Sequence, residues 1–290
     1  MSQLVETETH PSRPGREGWA PLPRRPRPRR TSALLTIRAG ISKRSTLTLA
    51  VLSLALPVII WVTVWALGVV PGKFLPSPAS VLDAGVEMAK SGELFTDLWA
   101  TVQRVLLGFG LAVVVSVPLG LVMGTFTAGQ ALFGPAISVL RYLPASAFIP
   151  LLIIWFGIGE PSKFLLLFIA TVFFNTLMTA DAVRRVPRAM IDVSYTLGAT
   201  RGEVLRKVIV PFSLPGILDA IRVNAAAAWN FVVVAELIAA TEGLGYRIVR
   251  AQRFMQTDKI FAVLIVIGIA GVTFDVMIRL LRDRVGRWAV

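Results

Sequence analysis

The run Leu47–Val70, LTLAVLSLALPVIIWVTVWALGVV, holds twenty-four residues and no charge. About 20 helical residues cross a hydrocarbon core of about 30 Å, and in lipid only helices or closed barrels satisfy every backbone polar group. Five more apolar runs follow. Val105–Ala128 is uncharged, Ala131–Gly159 carries only Arg141, and Phe164–Ala180 is short and clean, while Val223–Thr241 contains Glu236 and Ile260–Ile278 contains Asp275. The pattern predicts an all-α integral membrane protein with about six transmembrane helices. A composition of 55% hydrophobic and 16% charged residues excludes an ordinary soluble domain. The third run is the weakest, because Pro135, Pro144 and Pro150 interrupt it and a proline frees carbonyls that neighbours or water must satisfy.

A net charge of +13 raises the question of nucleic acid, and the placement of the basic residues answers it. Twenty of the thirty Lys and Arg residues fall in the N-terminal arm, the loop between the fourth and fifth runs and the C-terminal end. These segments share one side of a six-span chain, so the positive-inside rule places both termini in the cytoplasm and accounts for the charge without a nucleic acid. Residues 1–45, including PSRPGREGWAPLPRRPRPRR, have no apolar periodicity and read as a disordered basic arm, the alternative being an arm that binds anionic lipid or nucleic acid. The chain has no cysteine, and its only histidine, His10, lies in that arm. Disulfides, thiolate sites and an intramembrane histidine relay are excluded, and no metal site is expected.

The stretch DVSYTLGATRGEVLRKVIVP, Asp192–Pro211, sits in the longest internal loop. Asp192–Leu197 suits a short helix, Gly198 a helix end or tight turn, and Arg201–Val210 a second helix that Pro211 and Pro215 would stop. On that second helix Leu205, Val208 and Ile209 share a side, giving an amphipathic element that could rest on membrane or partner. A solvated loop that only sets topology is the alternative.

The spacing of this loop resembles the cytoplasmic EAA signature in permease subunits of binding-protein-dependent ABC importers. Asp192, Val193 and Ser194 stand where that family has Glu-Ala-Ala, Gly198 is its glycine, and Val208, Val210 and Pro211 stand for Ile, Leu and Pro. FLPSPASVL (74–82), RVLLGF (104–109), PLGLVMG (118–124), IPLLIIWFGIGEPSK (149–163) and AWNFVVVAELIAATEGLGYRI (228–248) are similar to the branch importing nitrate, sulfonates, taurine or bicarbonate. The resemblance covers roughly residues 70 to 285. It implies a type I ABC importer-like fold, a permease core at 102–285 with a coupling loop at 184–212, a first span and outer amphipathic segment at 46–101, and a tail at 286–290. It further implies a plasma-membrane location, pairing with a second, identical permease subunit, a cytoplasmic ATPase carrying the ATP and Mg, and an extracytoplasmic solute-binding protein. The chain itself would need no cofactor. Asp192, Ser194, Gly198, Ala199, Arg201, Val208 and Pro211 would form the ATPase-coupling element.

Polar groups in spans are costly and therefore functional candidates. Arg141, Asn175, Trp229, Asn230 and Glu236 are candidates for the solute path. Arg222 reads as snorkelling to an interface, Asp275 as the partner of Arg279 four residues on, and a lone carboxylate at Glu236 must be paired, hydrogen-bonded or protonated. Trp61 and Trp155 read as interfacial or packing groups, and Ala225–Ala228 as a helix-packing face. An amphipathic stretch from Val81 to Leu98 could lie on the membrane surface. Arg247, Arg250 and Arg253 recur every third residue, either as a surface ion-pair face or as a docking face for a binding protein.

The chain is not expected to be an enzyme. The Gly72-Lys73 pair is followed by Phe74 and has Leu67 where a phosphate-binding loop needs its first glycine, and there is no G-x-S-x-G elbow. The competing reading is an ion-driven secondary transporter, which would need carboxylates or broken helices at mid-membrane, usually with internal repeats.

Overall fold

A computed structural model describes residues 40–286, all helix and connecting turns, with no strand among the described residues. The basic arm lies almost wholly outside them, as does most of the tail. The chain divides into two compact units, Met1–Ile59 and Ile60–Val290. The described part of the first is the start of α1 (Lys43–Ala66), a helix apolar on all sides with no buried residue. A helix apolar all round suits lipid contact.

The second unit continues with α2 (Pro78–Lys90), α3 (Glu93–Thr125), α4 (Thr127–Leu140), α5 (Ile149–Phe156), α6 (Glu160–Arg184), α7 (Arg188–Thr196), α8 (Arg201–Val204), α9 (Val210–Ala239), α10 (Leu244–Arg253) and α11 (Thr257–Val285). Among the described residues four helices, α1, α3, α6 and α11, are long and apolar enough to cross a membrane. The expected third span is not one straight helix. It is α4 and the helical stretch Ala145–Phe156 that includes α5, bent by 82° at a break that contains Pro144, and counts as a fifth crossing only if the bent pair is one span. Pro144 has an extended backbone and no amide hydrogen to continue α4. The expected fifth span lies in α9, which at 30 residues is about 45 Å long. Asp219, Arg222, Asn224, Asn230 and Glu236 dilute its apolar character.

Two other expectations change. The amphipathic stretch from Val81 to Leu98 is split by Gly92, whose left-handed φ of 77° ends one helix and begins the next, so α3 starts twelve residues before its apolar run. Pro211 and Pro215 do not stop the helix after Arg201. A π turn at Leu205–Ile209 ends two residues before Pro211, and α9 runs on through both prolines. The wider turn accommodates a ring that would clash with the carbonyl four residues back.

The core is built on α3, α6 and α9. Along α3 the residues Gly108, Ala112, Ser116, Gly120 and Gly124 recur every fourth position and face α6. A β-carbon on Gly108, Gly120 or Gly124 would stand 2.8, 2.6 or 2.5 Å from a side-chain β-carbon of Leu167, Thr179 or Val183. Small residues let the two backbones approach closely, which is how helices associate where lipid supplies no hydrophobic drive. Ala225 and Ala228, fully buried on α9, extend the same packing to Val105, Phe109 and Leu167.

Candidate functional site

Two clusters hold the chemistry, one at each end of α9. At the first end, α7 starts after Pro187 and closes at Gly198, whose φ of 84° supplies the left-handed C-terminal turn. Thr200 then caps α8: its hydroxyl accepts the Glu203 amide at 3.4 Å while the Glu203 carboxylate accepts the Thr200 amide at 3.0 Å. That backbone bond, joined by Lys207 at 2.9 Å, pushes the Glu203 carboxyl down to about 2. The expected amphipathic side of the second helix rests on this chain, not on membrane or partner. Val204 and Ile209 are buried against Ala182, Val183 and Val186 at the end of α6, with Leu205, Val208 and Ala199 packed around them.

The exposed apolar surface of the segment lies instead on α7. Met190, Val193 and Leu197 fall on one helical stripe and are 42%, 58% and 82% exposed, while Tyr195, on the other side of the helix, is 47% exposed. Asp192 and Arg201 are exposed as well, Ser194 donates to the Met190 carbonyl at 2.7 Å, and Pro211 sits at the start of α9. The short helix, the left-handed glycine and the capped second helix hold the coupling-loop candidates in one segment, with Asp192, Gly198 and Arg201 exposed and Ala199 and Val208 packed on the end of α6. The stripe on α7 was legible in the spacing of Met190, Val193 and Leu197, and was passed over because Asp192–Thr196 looks polar.

At the other end of α9 lies a buried ionic network. Glu236 is 1% exposed and accepts from Arg104 Nη1 at 2.8 Å, Thr101 Oγ1 at 2.8 Å and the Gly245 amide at 2.8 Å. Arg104, 2% exposed, also forks onto Glu160 through Nε and Nη2, both at 2.8 Å, and donates to the Glu242 carbonyl at 2.8 Å. Asp97 accepts the Gly243 amide at 2.8 Å and Arg247 Nε at 2.6 Å, and Arg247 Nη1 reaches Glu93 at 2.7 Å. Gly243, at φ 118°, is the residue the turn requires, because a β-carbon there would stand 2.5 Å from both Arg104 and Glu236. Burying such charges is tolerable only when every partner is present.

The path candidates scatter. Asn175 is fully buried, donating to Ser116 and accepting from Asn224 at 3.4 Å, so it joins α3, α6 and α9 inside the protomer. Glu236 is enclosed in the network, and neither side chain reaches a surface a solute could touch. Trp229 is 7% exposed, edge-on to Phe274, and lines an apolar groove of about 380 Å³ with Val105, Val266 and Met277. No charged group lines that groove, which gives an anion nothing to pair with. Asn230 is exposed and donates to its own helix at Ala226, and Arg141 lies over the Tyr142 ring at 4.9 Å. Of the α10 arginines, Arg247 is turned inward and unavailable for docking. Arg250 approaches Glu93 at 3.5 Å while remaining half exposed, and Arg253 is fully on the surface.

Arg222 does not snorkel alone: it makes a two-pronged pair with Asp275, at 2.5 and 2.9 Å, and Asp275 also meets Arg279 at 3.1 Å. Trp61 stacks on Phe261 and donates to the Pro76 carbonyl at 3.1 Å, a packing role, while Trp155 is 62% exposed. Sequence reasoning passed over Arg104, Asp97 and Glu160, each outside the apolar runs, where charges are ordinary.

Among proteins of known kind, the chain is 37% identical to the taurine transport system permease protein TauC of Escherichia coli K12 over 263 residues, 89% of this chain and 94% of that one. It is 35% identical over 234 residues to the putative aliphatic sulfonates transport permease protein SsuC of Bacillus subtilis 168, covering 81% and 85%. It is 32% identical over 242 residues to the riboflavin transport system permease protein RibX of Chloroflexus aurantiacus, covering 81% and 90%. Its fold matches a chain of the MetNI methionine ABC transporter with a TM-score of 0.57 at 19% identity, over 70% of this chain and 98% of that one. A chain of an amino acid ABC transporter gives 0.59 at 16% identity, over 69% and 97%. Residues 116–287 match the family described as the binding-protein-dependent transport system inner membrane component, and the chain belongs to that family.

Proposed function

We propose that the chain is the permease subunit of an ABC importer for a small anionic solute of the sulfonate class, working as a pair of copies with a cytoplasmic ATPase and an extracytoplasmic binding protein. The observation that carries this reading is the Arg188–Pro211 segment. It presents an exposed apolar stripe beside Asp192 and Arg201, and it is continuous with α9 through the π turn. A soluble partner that grips the stripe on α7 acts on α9 through the Gly198 turn and α8. This role places the segment, and with it both termini, in the cytoplasm, in agreement with the distribution of Lys and Arg. ATP and Mg then belong to the partner ATPase.

The sulfonate class is supported by the taurine and aliphatic-sulfonate relatives. The riboflavin relative names the competing cargo to be tested beside it. An ion-driven mechanism loses its best carboxylate, since Glu236 is saturated with donors.

The test is uptake of radiolabelled taurine, an alkanesulfonate and riboflavin into proteoliposomes holding this chain, its ATPase and the binding protein. Uptake of a sulfonate that needs ATP and survives collapse of the ion gradients supports the reading. Uptake that follows the gradients without ATP refutes it.

A further inference from the structure

From Arg201 to Ala239 the backbone is helical without a break, through α8, the π turn and α9. That is about 58 Å at 1.5 Å per residue. Such a rod carries a displacement of the coupling segment to its far end, where it enters the ionic network. The network grips the turn between α9 and α10 at three consecutive amides: Gly243 on Asp97, Leu244 on Thr101 and Gly245 on Glu236. Two of these acceptors belong to α3. Arg104, also on α3, ties Glu236 of α9 to Glu160 of α6 and to the Glu242 carbonyl, and Arg247 returns from α10 to Asp97.

A buried pair of this kind adds little net stability compared with well-packed apolar residues, because desolvation offsets the attraction. What it does add is a fixed geometry: a two-pronged guanidinium–carboxylate contact admits one relative orientation.

We infer that Arg104, Asp97 and Thr101 are positioning residues for transport. They make the adjoining ends of α3, α6, α9 and α10 one rigid body, so that α10, with Arg250 and Arg253 on its surface, moves in step with the coupling segment. Binding-protein contact at α10 and ATP at the far end are then read by the same rod. This inference rests on the proposed coupling role of Arg188–Pro211.

The chain has no cysteine, so two introduced ones report unambiguously. Phe95→Cys on α3 and Gln252→Cys on α10 are both exposed and outside the network. Spin labels at these positions, in nanodiscs with the ATPase partner, should give one narrow distance distribution that is the same without nucleotide and with ATP trapped. Arg104→Gln should broaden it. Thr101→Val, which removes one hydroxyl without leaving a charge unpaired, keeps the test open if the arginine variant does not fold. It should broaden the distribution and abolish stimulation of ATP hydrolysis by loaded binding protein, while the basal rate stays unchanged. A wild-type distance that shifts between nucleotide states, or a Thr101→Val protein with wild-type width and stimulation, overturns the inference. If no ATPase associates, the coupling reading fails separately, and the widths measured on the permease alone still decide whether the clamp exists.

Discussion

Substituting alanine for Gly120 adds one methyl group, and the structure fixes what that methyl meets. The new β-carbon would stand 2.6 Å from the Thr179 β-carbon and 2.7 Å from the Thr176 carbonyl oxygen. Ordinary contacts lie at about 3.5–4.0 Å. The carbonyl belongs to the α6 backbone and cannot rotate aside, so α3 and α6 must separate by about 1 Å. A radial gap of 0.5–1 Å forfeits roughly a quarter to a half of each affected contact well, and overpacking of this kind costs about 1–3 kcal/mol. The better helix propensity of alanine returns up to about 1 kcal/mol, leaving a net loss. Gly110 on the same helix supplies the control, because nothing lies within 4 Å of a β-carbon there. Gly110→Ala should be neutral or stabilising by up to about 1 kcal/mol. Thermal unfolding of both variants in one detergent, followed by circular dichroism, should lower the Gly120→Ala midpoint and leave the Gly110→Ala midpoint unchanged or raised. Equal shifts, or a more stable Gly120→Ala protein, would refute close packing of α3 on α6 at this glycine.

Arg104→Met leaves Glu236 buried without its cation and should cost about 3–5 kcal/mol, whereas the double variant Arg104→Met/Glu236→Leu should recover most of that loss; a double variant no better than the single would mean that the pair is not coupled. Gly198→Val meets no neighbouring atom, so its penalty comes only from the left-handed backbone, about 1–2 kcal/mol or somewhat more for a β-branched residue. It should insert and fold normally by size-exclusion profile yet lose uptake driven by ATP. Thr200→Ala removes the capping hydroxyl of α8 and should destabilise that turn by about 1 kcal/mol, seen as faster amide exchange at residues 200–204. Because the Glu203 carboxyl is held below its ordinary value, the capping contact is complete at neutral pH. It weakens as pH falls from about 4.5 toward about 2, so exchange corrected for intrinsic rates should be flat above pH 5.

The apolar runs made the membrane class and most of the helices legible, and the stretch Asp192–Pro211 made the short helix, the turn at Gly198 and the second helix legible. Three features were not. The stripe Gly108, Ala112, Ser116, Gly120 and Gly124 has visible spacing, but inside an uncharged run small residues look like more of the same. The network depends on pairs such as Arg104 with Glu236, 132 positions apart, and sequence spacing has no period that links them. Arg247 shows the reverse error: three arginines at every third position suggest a shared surface, yet consecutive steps of three drift around the helix, and Asp97 draws the first of them inward. The passage of α9 through Pro211 was hidden because proline ordinarily ends a helix, and only the π turn at 205–209 removes the clash.

The most direct test of the account is the ATPase rate of this chain, co-purified with its ATPase partner in lipid nanodiscs, measured with and without loaded binding protein for wild type and for a variant substituted at Asp192 and Gly198. Both assemblies should hydrolyse ATP, and only the wild type should respond to the binding protein. A variant that responds like the wild type, or a wild-type permease that retains no ATPase, would contradict the claim that residues 188–211 couple transport to ATP.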